Sequence, residues 1–121
     1  MGLKVGLITL MLFLVPQAEL KTINGEVILV RNGDTLTVKT KRNRAYKVRL
    51  ADIDAPEIGQ PFGKSSRRLA RDLALKKTVR VNYNFKDKYG RLIGELILPE
   101  GKLLNEEILK AGLAWHYRVK H

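Results

Sequence analysis

Three short segments carry ionisable residues where a β-strand would otherwise run on. They are Asn32-Gly33-Asp34-Thr35, the stretch from Arg49 to Glu57 (Arg-Leu-Ala-Asp-Ile-Asp-Ala-Pro-Glu), and Asp87-Lys88-Tyr89-Gly90-Arg91. Carboxylates such as Asp34, Asp54 and Glu57 are side chains that hold hard cations through oxygen or take a proton from water. Guanidinium groups such as Arg49 and Arg91 are planar forks that grip two phosphoryl oxygens at once, which lysine cannot do. Each segment alone is also explained as a turn, because Asn, Asp and Gly supply turn geometry. A chemical role for them requires a fold that brings all three together.

The elements around these segments follow from residue pattern. Thr22 to Val30 is β-branched and apolar and reads as a strand. Asn32-Gly33 is a two-residue hairpin signal, both positions tolerating positive φ. Leu36 and Val38 alternate with Thr35 and Thr37 in a second strand, Asp34 to Lys39, and Lys41 to Arg44 is a basic turn before a third, Tyr46 to Leu50. Pro56 keeps Ala55 extended and ends the ladder. From Lys64 to Lys76 the period becomes helical, with Ser66, Leu69, Ala70, Leu73 and Ala74 on one face and Lys64, Arg67, Arg68 and Arg71 on the other. Thr78 to Phe85 and Arg91 to Leu98 are the fourth and fifth strands. A second helix runs from Leu104 to about Ala111, ended by Gly112. Three strands, a helix, two strands and a helix suit a five-stranded antiparallel Greek-key barrel of the OB-fold type, an α+β arrangement. Trp115 is expected in the core, and His116 and His121 on the surface.

Composition agrees with one folded domain. The chain has 121 residues, 45% of them hydrophobic, and no cysteine, so neither a disulfide nor a thiolate metal site enters. Lys and Arg number 23 against 12 Asp and Glu, a formal net charge of +11, which attracts polyanions such as nucleic acid, anionic membrane or acidic polysaccharide.

The amino terminus has the order of a secretory signal. Lys4 precedes an uncharged apolar run, Val5 to Val15, followed by Pro16, Gln17 and Ala18. That run falls short of the roughly twenty residues a membrane-spanning helix needs. Residues 1–18 are therefore expected to be a signal peptide, cut after Ala18 or nearby, and the protein to be secreted or periplasmic. An uncleaved anchor is the alternative.

Taken together, the segments resemble the staphylococcal nuclease (thermonuclease) family. The likeness covers Thr22 to Tyr117. It rests on V-x-N-G-D-T, V-R-L-x-x-I-D-A-P-E, Gln60-Pro61-Phe62-Gly63, D-K-Y-G-R, and Leu104-Asn105-Glu106-Glu107 through Gly112-Leu113-Ala114-Trp115. The resemblance implies an OB-type barrel over residues 19–121 with the active site on one flank. It implies a calcium ion held by Asp34, Asp54 and the main-chain carbonyl of Ala55, and a catalytic glutamate at Glu57 that orients or deprotonates water. It further implies catalytic arginines at Arg49 and Arg91, and substrate contacts from Lys88 and Tyr89. Tyr117 offers a stacking face for a base. The sequence departs from the family at Asn32, where the best-known members carry an aspartate, and at Ala55, where threonine is frequent. Asp52 adds a carboxylate that either compensates for Asn32 or faces solvent.

The activity so implied is calcium-dependent hydrolysis of phosphodiester bonds in DNA, RNA or both, leaving 3′-phosphates. The enzyme would be a monomer with no stable protein partner and no membrane contact beyond the signal segment. The rival is a catalytically silent OB-type module that only binds nucleic acid. A third idea, a protein of anionic membrane surfaces, rests on charge and the apolar run alone.

Overall fold

The computed structural model describes residues 19–117. The expected signal segment, and His121 with the last residues of the expected domain, lie outside that span. Among the described residues, seven strands and two helices follow in the order β1 (Lys21–Asn32), β2 (Thr35–Lys39), β3 (Ala45–Leu50), β4 (Ile53–Asp54), α1 (Gly63–Ala74), β5 (Thr78–Lys86), β6 (Leu92–Ile97), α2 (Leu104–Lys110) and β7 (Trp115–His116). Five of the strands close into a barrel in the order β1-β2-β3-β6-β5, the arrangement expected of an OB-like α+β fold. The expectation of a wholly antiparallel barrel is refined at one interface: β3 and β6 run parallel. Such a pair needs a long crossover, and α1 with β5 supplies it.

Period-two alternation fills the barrel. Leu36 and Val38 of β2, Val48 and Leu50 of β3, Val79 and Val81 of β5, and Leu92 and Leu96 of β6 are all buried. Leu104 and Ile108 of α2 join the same core with Ala70 and Ala74 of α1. The register of β1 against β2 slips twice, between Val27 and Leu29 and between Val30 and Asn32. Such bulges bend a strand and re-aim its side chains. Ile28 and Leu29 both end outside, and Asn32 is turned inward to the site. Arg67 closes the second bulge, its Nε donating to the Val30 carbonyl at 3.1 Å. It thus leaves the solvated helix face on which the helical period put it.

The β1–β2 turn differs from the sequence expectation. Its central residues are Gly33 and Asp34, flanked by the pair Asn32–Thr35, and neither takes a positive φ. Glycine is needed at residue 33 for room: a Cβ there would run into Ser66 Oγ on α1. At α2 the ending agrees with the sequence, Gly112 taking φ 73° just past the helix. Asn105 on α2 fastens the helix to the barrel. Its amide donates to Ala51 and Gly94 carbonyls and accepts the Leu96 N–H.

A two-stranded ladder, β4 with β7, was not foreseen. It pairs Ile53 with His116 and Asp54 with Trp115. Directly opposed residues share a face, so Trp115 lies on the outward side with Asp54 and is 55% exposed. The expectation of a core tryptophan is thereby corrected. Among the described residues no helix is long and apolar enough to cross a membrane.

Candidate active site

The three ionisable segments meet on one flank of the barrel. Asp34 sits in the β1–β2 turn, Arg49 near the end of β3, Asp54 on β4, Glu57 in the loop beyond Pro56, and Arg91 just before β6. Thr35 and Arg49 are cross-strand partners, so the hairpin register delivers Arg49 beside Asp34. A cleft of about 410 Å³ is lined by Asp34, Arg49, Asp54, Glu57, Tyr89 and Arg91, with Leu29, Arg31, Thr37 and Lys47 extending one side.

Asp34 is 4% exposed, and a carboxylate this buried needs partners on both oxygens. Its Oδ1 accepts the Thr35 hydroxyl at 2.8 Å, and its Oδ2 accepts the Ala55 N–H at 2.7 Å. Its main-chain carbonyl accepts the Leu50 N–H at 2.8 Å, locking the turn to β3. Arg49 bridges the two aspartates: its Nη2 lies 3.4 Å from Asp34 Oδ2 and 3.2 Å from Asp54 Oδ1. Its Nη1 donates to the carbonyls of Leu50 and Ile53, both at 2.7 Å. The guanidinium is thus fixed by the main chain that turns from β3 into β4, and one of its nitrogens gathers both carboxylates.

Glu57 is exposed, but its backbone is tied down. Its N–H donates to Gln60 Oε1 at 2.7 Å, and its carbonyl accepts the Gln60 N–H at 2.9 Å. Gly63 packs so closely under this loop that a Cβ would strike the Glu57 carbonyl. Asn32 is buried between the segments. Its amide donates to Glu57 Oε2 at 3.4 Å, and its Oδ1 accepts the Asp34 N–H at 3.3 Å. The departure from aspartate at this position therefore supplies a donor to Glu57 that a carboxylate would lack. Asp52 faces solvent in a left-handed conformation, φ 64°, and does not line the cleft.

Arg91 is held by its own turn. Asp87 accepts the Arg91 Nε–H at 2.7 Å, the Arg91 N–H at 2.9 Å and the Tyr89 N–H at 3.0 Å. Burial pushes the Asp87 carboxyl up, but the hydrogen bonds from Arg91 and Tyr89 and the Arg91 charge outweigh it, holding the carboxyl below the usual carboxylate range. Tyr89 is 70% exposed, with Lys88 Nζ 5.2 Å and the Arg91 guanidinium 5.5 Å from its ring centroid, within cation–π range. Lys88 stands beside this ring without lining the cleft. Tyr117 is not brought to the cleft either: its N–H donates to the Asp52 carbonyl at 2.8 Å, which places it beyond Trp115, at the end of the small ladder away from Arg49.

Asp34 and Asp54, with the adjoining main-chain oxygen of Ala55, form a set of oxygen donors only. Among the described residues no group of three or more His, Cys, Asp or Glu gathers, so a cation here would complete its shell with water. Two carboxylates and no soft donor suit a hard divalent ion in kind, while the point between them is held by Arg49 Nη2. The sequence reading missed Asp87 as the holder of Arg91, although the i, i+4 spacing of the two residues was visible. It also missed Lys47, two residues before Arg49 on the same strand and therefore on the same face.

A closed OB-like barrel with paired aspartates, a bridging arginine and a loop glutamate on one flank defines the class. The sequence model of the family described as staphylococcal nuclease homologue matches residues 47–121, and the chain belongs to that family. It is 41% identical over 95 residues to an uncharacterized endonuclease of Escherichia coli O157:H7, covering 78% of this chain and 61% of that protein. It is 42% identical over 92 residues to an uncharacterized endonuclease of Haemophilus influenzae, covering 76% of this chain and 51% of that one. It is 40% identical over 102 residues to a micrococcal nuclease of Shigella flexneri, covering 78% and 58%. The chain thus spans between half and three-fifths of the length of these relatives.

Proposed function

We propose that this protein is a nuclease that hydrolyses phosphodiester bonds in DNA, RNA or both with the help of calcium. The observation that carries the reading is the position of Arg49, pinned between Asp34 and Asp54 in a cleft that Glu57 and Arg91 also face. The nuclease names of its relatives support it.

The residues have distinct tasks in this reading. Arg91 hydrogen-bonds a non-bridging oxygen of the scissile phosphate, whose negative charge grows in the transition state, and Arg49, whose Nη groups are spent on two carbonyls and two carboxylates, offers its Nε–H and its charge. Arg49 enters with its orientation already set by two carbonyls, so little ordering remains to be done on binding. Glu57 accepts a proton from the attacking water while its oxygen bonds to phosphorus. The P–O5′ bond breaks, the leaving 5′-oxygen is stabilised by Arg91 and takes a proton from solvent to become a 5′-hydroxyl, and the 3′-phosphate stays on the upstream product. That regiochemistry is what the family resemblance implies. Asp34, Asp54 and the Ala55 carbonyl would hold calcium, which when bound supplies Lewis-acid polarisation and a fixed water. Lys88 and Tyr89 contact a neighbouring phosphate. The apolar run at residues 5–15 supports export and action outside the cytoplasm.

Cleavage of labelled single- and double-stranded DNA and RNA with calcium, magnesium or chelator tests this. The expected result is activity with calcium, loss in chelator, and a fall of about 10²–10⁴ in Glu57→Ala. Undiminished cleavage in chelator or by the Glu57 variant would overturn the assignment. Tight binding without cleavage under every condition would favour the silent binding module.

A further inference from the structure

The β2–β3 hairpin has a second end. Its loop, Thr40 to Arg44, borders a groove of about 1120 Å³ lined by Lys39, Lys41, Arg42 and Arg44, with Tyr46 on the wall and Glu26 the one carboxylate among the lining residues. Among the described residues none of the four cations lies within ion-pair distance of an acid. The loop is ordered by its own main chain, Thr40 N–H bonding to Arg44 O at 2.8 Å and Asn43 N–H to Thr40 O at 2.9 Å. The loop cations Lys41, Arg42 and Arg44 are therefore displayed on a fixed support, while Lys39 stands opposite Glu26 across the β1–β2 ladder.

The hairpin connects this groove to the cleft. Its register pairs Thr35 with Arg49, Thr37 with Lys47 and Lys39 with Ala45. Leu36, Val38, Val48 and Leu50 point into the barrel, so Arg49, Lys47 and Lys39 share the outer face. Alternate residues on a strand are about 6.5–7 Å apart, which puts the loop end of the hairpin about 13 Å from Arg49. A line of positive charge at near-regular intervals thus runs from the cleft, through Lys47 on its wall, to the four cations of the groove.

Resting on the nuclease reading, we infer that this groove is a second nucleic-acid-binding site. It takes the phosphodiester backbone of a single strand a few nucleotides away from the scissile phosphate. The partner is a polyanion with evenly spaced charges, which suits a line of cations better than isolated anions would. A membrane surface fits less well: the site is concave, and its apolar members Ile23 and Tyr46 are half-buried against the core rather than displayed. The consequence is a length preference. Substrates long enough to reach the groove bind more tightly than short ones offering the same scissile bond.

The test is the triple variant Lys41→Ala, Arg42→Ala, Arg44→Ala of the full protein, with Asn43 retained because it takes φ 66°. Cleavage of a trinucleotide should be unchanged. KM for a single strand of about 30 nucleotides should rise about tenfold with kcat preserved. In chelator, the log–log salt slope for binding the long strand should fall by about 2, from three lost phosphate contacts at about 0.7 each. Equal loss on both lengths, or none on the long strand, would overturn the inference. So would vesicle binding that the variant loses while both cleavage rates stay the same. If the wild type cleaves nothing, the nuclease reading has failed, and the binding comparison in chelator still decides: weaker binding by the variant supports the groove, and equal binding removes it.

Discussion

The two ends of the β2–β3 hairpin have opposite electrostatic designs. At the Gly33–Asp34 end the buried charges are matched. The buried Asp34 is satisfied on both oxygens, and Arg49 is shared by two aspartates and two carbonyls. At the Thr40–Arg44 end, cations crowd a short loop with no ion pair among the described residues. The same pair of strands supports both, so strand propensity does not account for the contrast. Burial does. A charge removed from water must be paired or it destabilises the fold, and the pairing fixes geometry that a reaction can use. A charge left in water is cheap to display and acts through its field. Substitutions at the two ends should therefore have different signatures, and those at the matched end should be the larger.

Arg49→Ala should have the largest effect. It leaves Asp34 buried without its cation and frees two carbonyls, which should cost about 3 kcal/mol of stability by urea denaturation. Turnover should fall by at least about 10³. Arg49→Lys should recover part of the stability and little activity, since an ammonium cannot serve both carboxylates and both carbonyls in one plane. Arg49→Ala at wild-type stability would show that the pairing at this end is incidental.

Gly33→Ala comes next. The added methyl meets Ser66 Oγ and approaches the Ala55 side chain at 3.0 Å, and overpacking of this kind costs about 1–3 kcal/mol. Ser66→Ala in the same chain removes the obstructing oxygen, which has no hydrogen-bond partner of its own. The double variant should therefore recover part of the loss. No recovery in melting temperature would place the strain in the backbone of the turn instead.

Asp87→Asn should be milder. It weakens the hold on Arg91 and should lower kcat by about tenfold, with little change in KM for a short substrate. The Asp87 carboxyl titrates below its ordinary range when folded, so its contribution is whole above the ordinary value of about 3.9. It is lost as the pH falls through the lower, folded value. The stability gap between wild type and Asp87→Asn should therefore be constant at neutral pH and shrink only on strong acidification. A gap that widens on acidification would reverse the sign and contradict the depressed titration.

The same division governs what the sequence makes legible. The barrel strands could be read because alternation such as Leu36-Thr37-Val38 reports burial directly. The site segments could be read because Asp34, Arg49, Asp54, Glu57 and Arg91 fall in recognisable strings. The β4–β7 ladder could not, because two residues per strand carry no period, and so Trp115 was assigned to a core it does not enter. The turn at Gly33 was read by the wrong property. Conformational freedom is a local feature of glycine, whereas the need for space beside Ser66 exists only after α1 has docked. Asp87 was passed over for a related reason: its value lies in three hydrogen bonds that the folded turn creates.

The smallest effect belongs to the basic loop, and its smallness is the informative part. Lys41, Arg42 and Arg44 are exposed and make no ion pair among the described residues, so replacing them with alanine should shift stability by no more than about 0.5 kcal/mol. The sign should be toward stabilisation at low salt, because neighbouring like charges repel and the variant relieves that repulsion. Added salt should erase the difference, since exposed charges are screened over a Debye length of about 8–10 Å near physiological ionic strength. Urea denaturation at two salt concentrations measures both points. A loss above about 1 kcal/mol, or a difference that survives high salt, would mean that these side chains hold the hairpin together. The loop end would then be a structural element like the matched end, and its charges could no longer be read as free to serve a ligand.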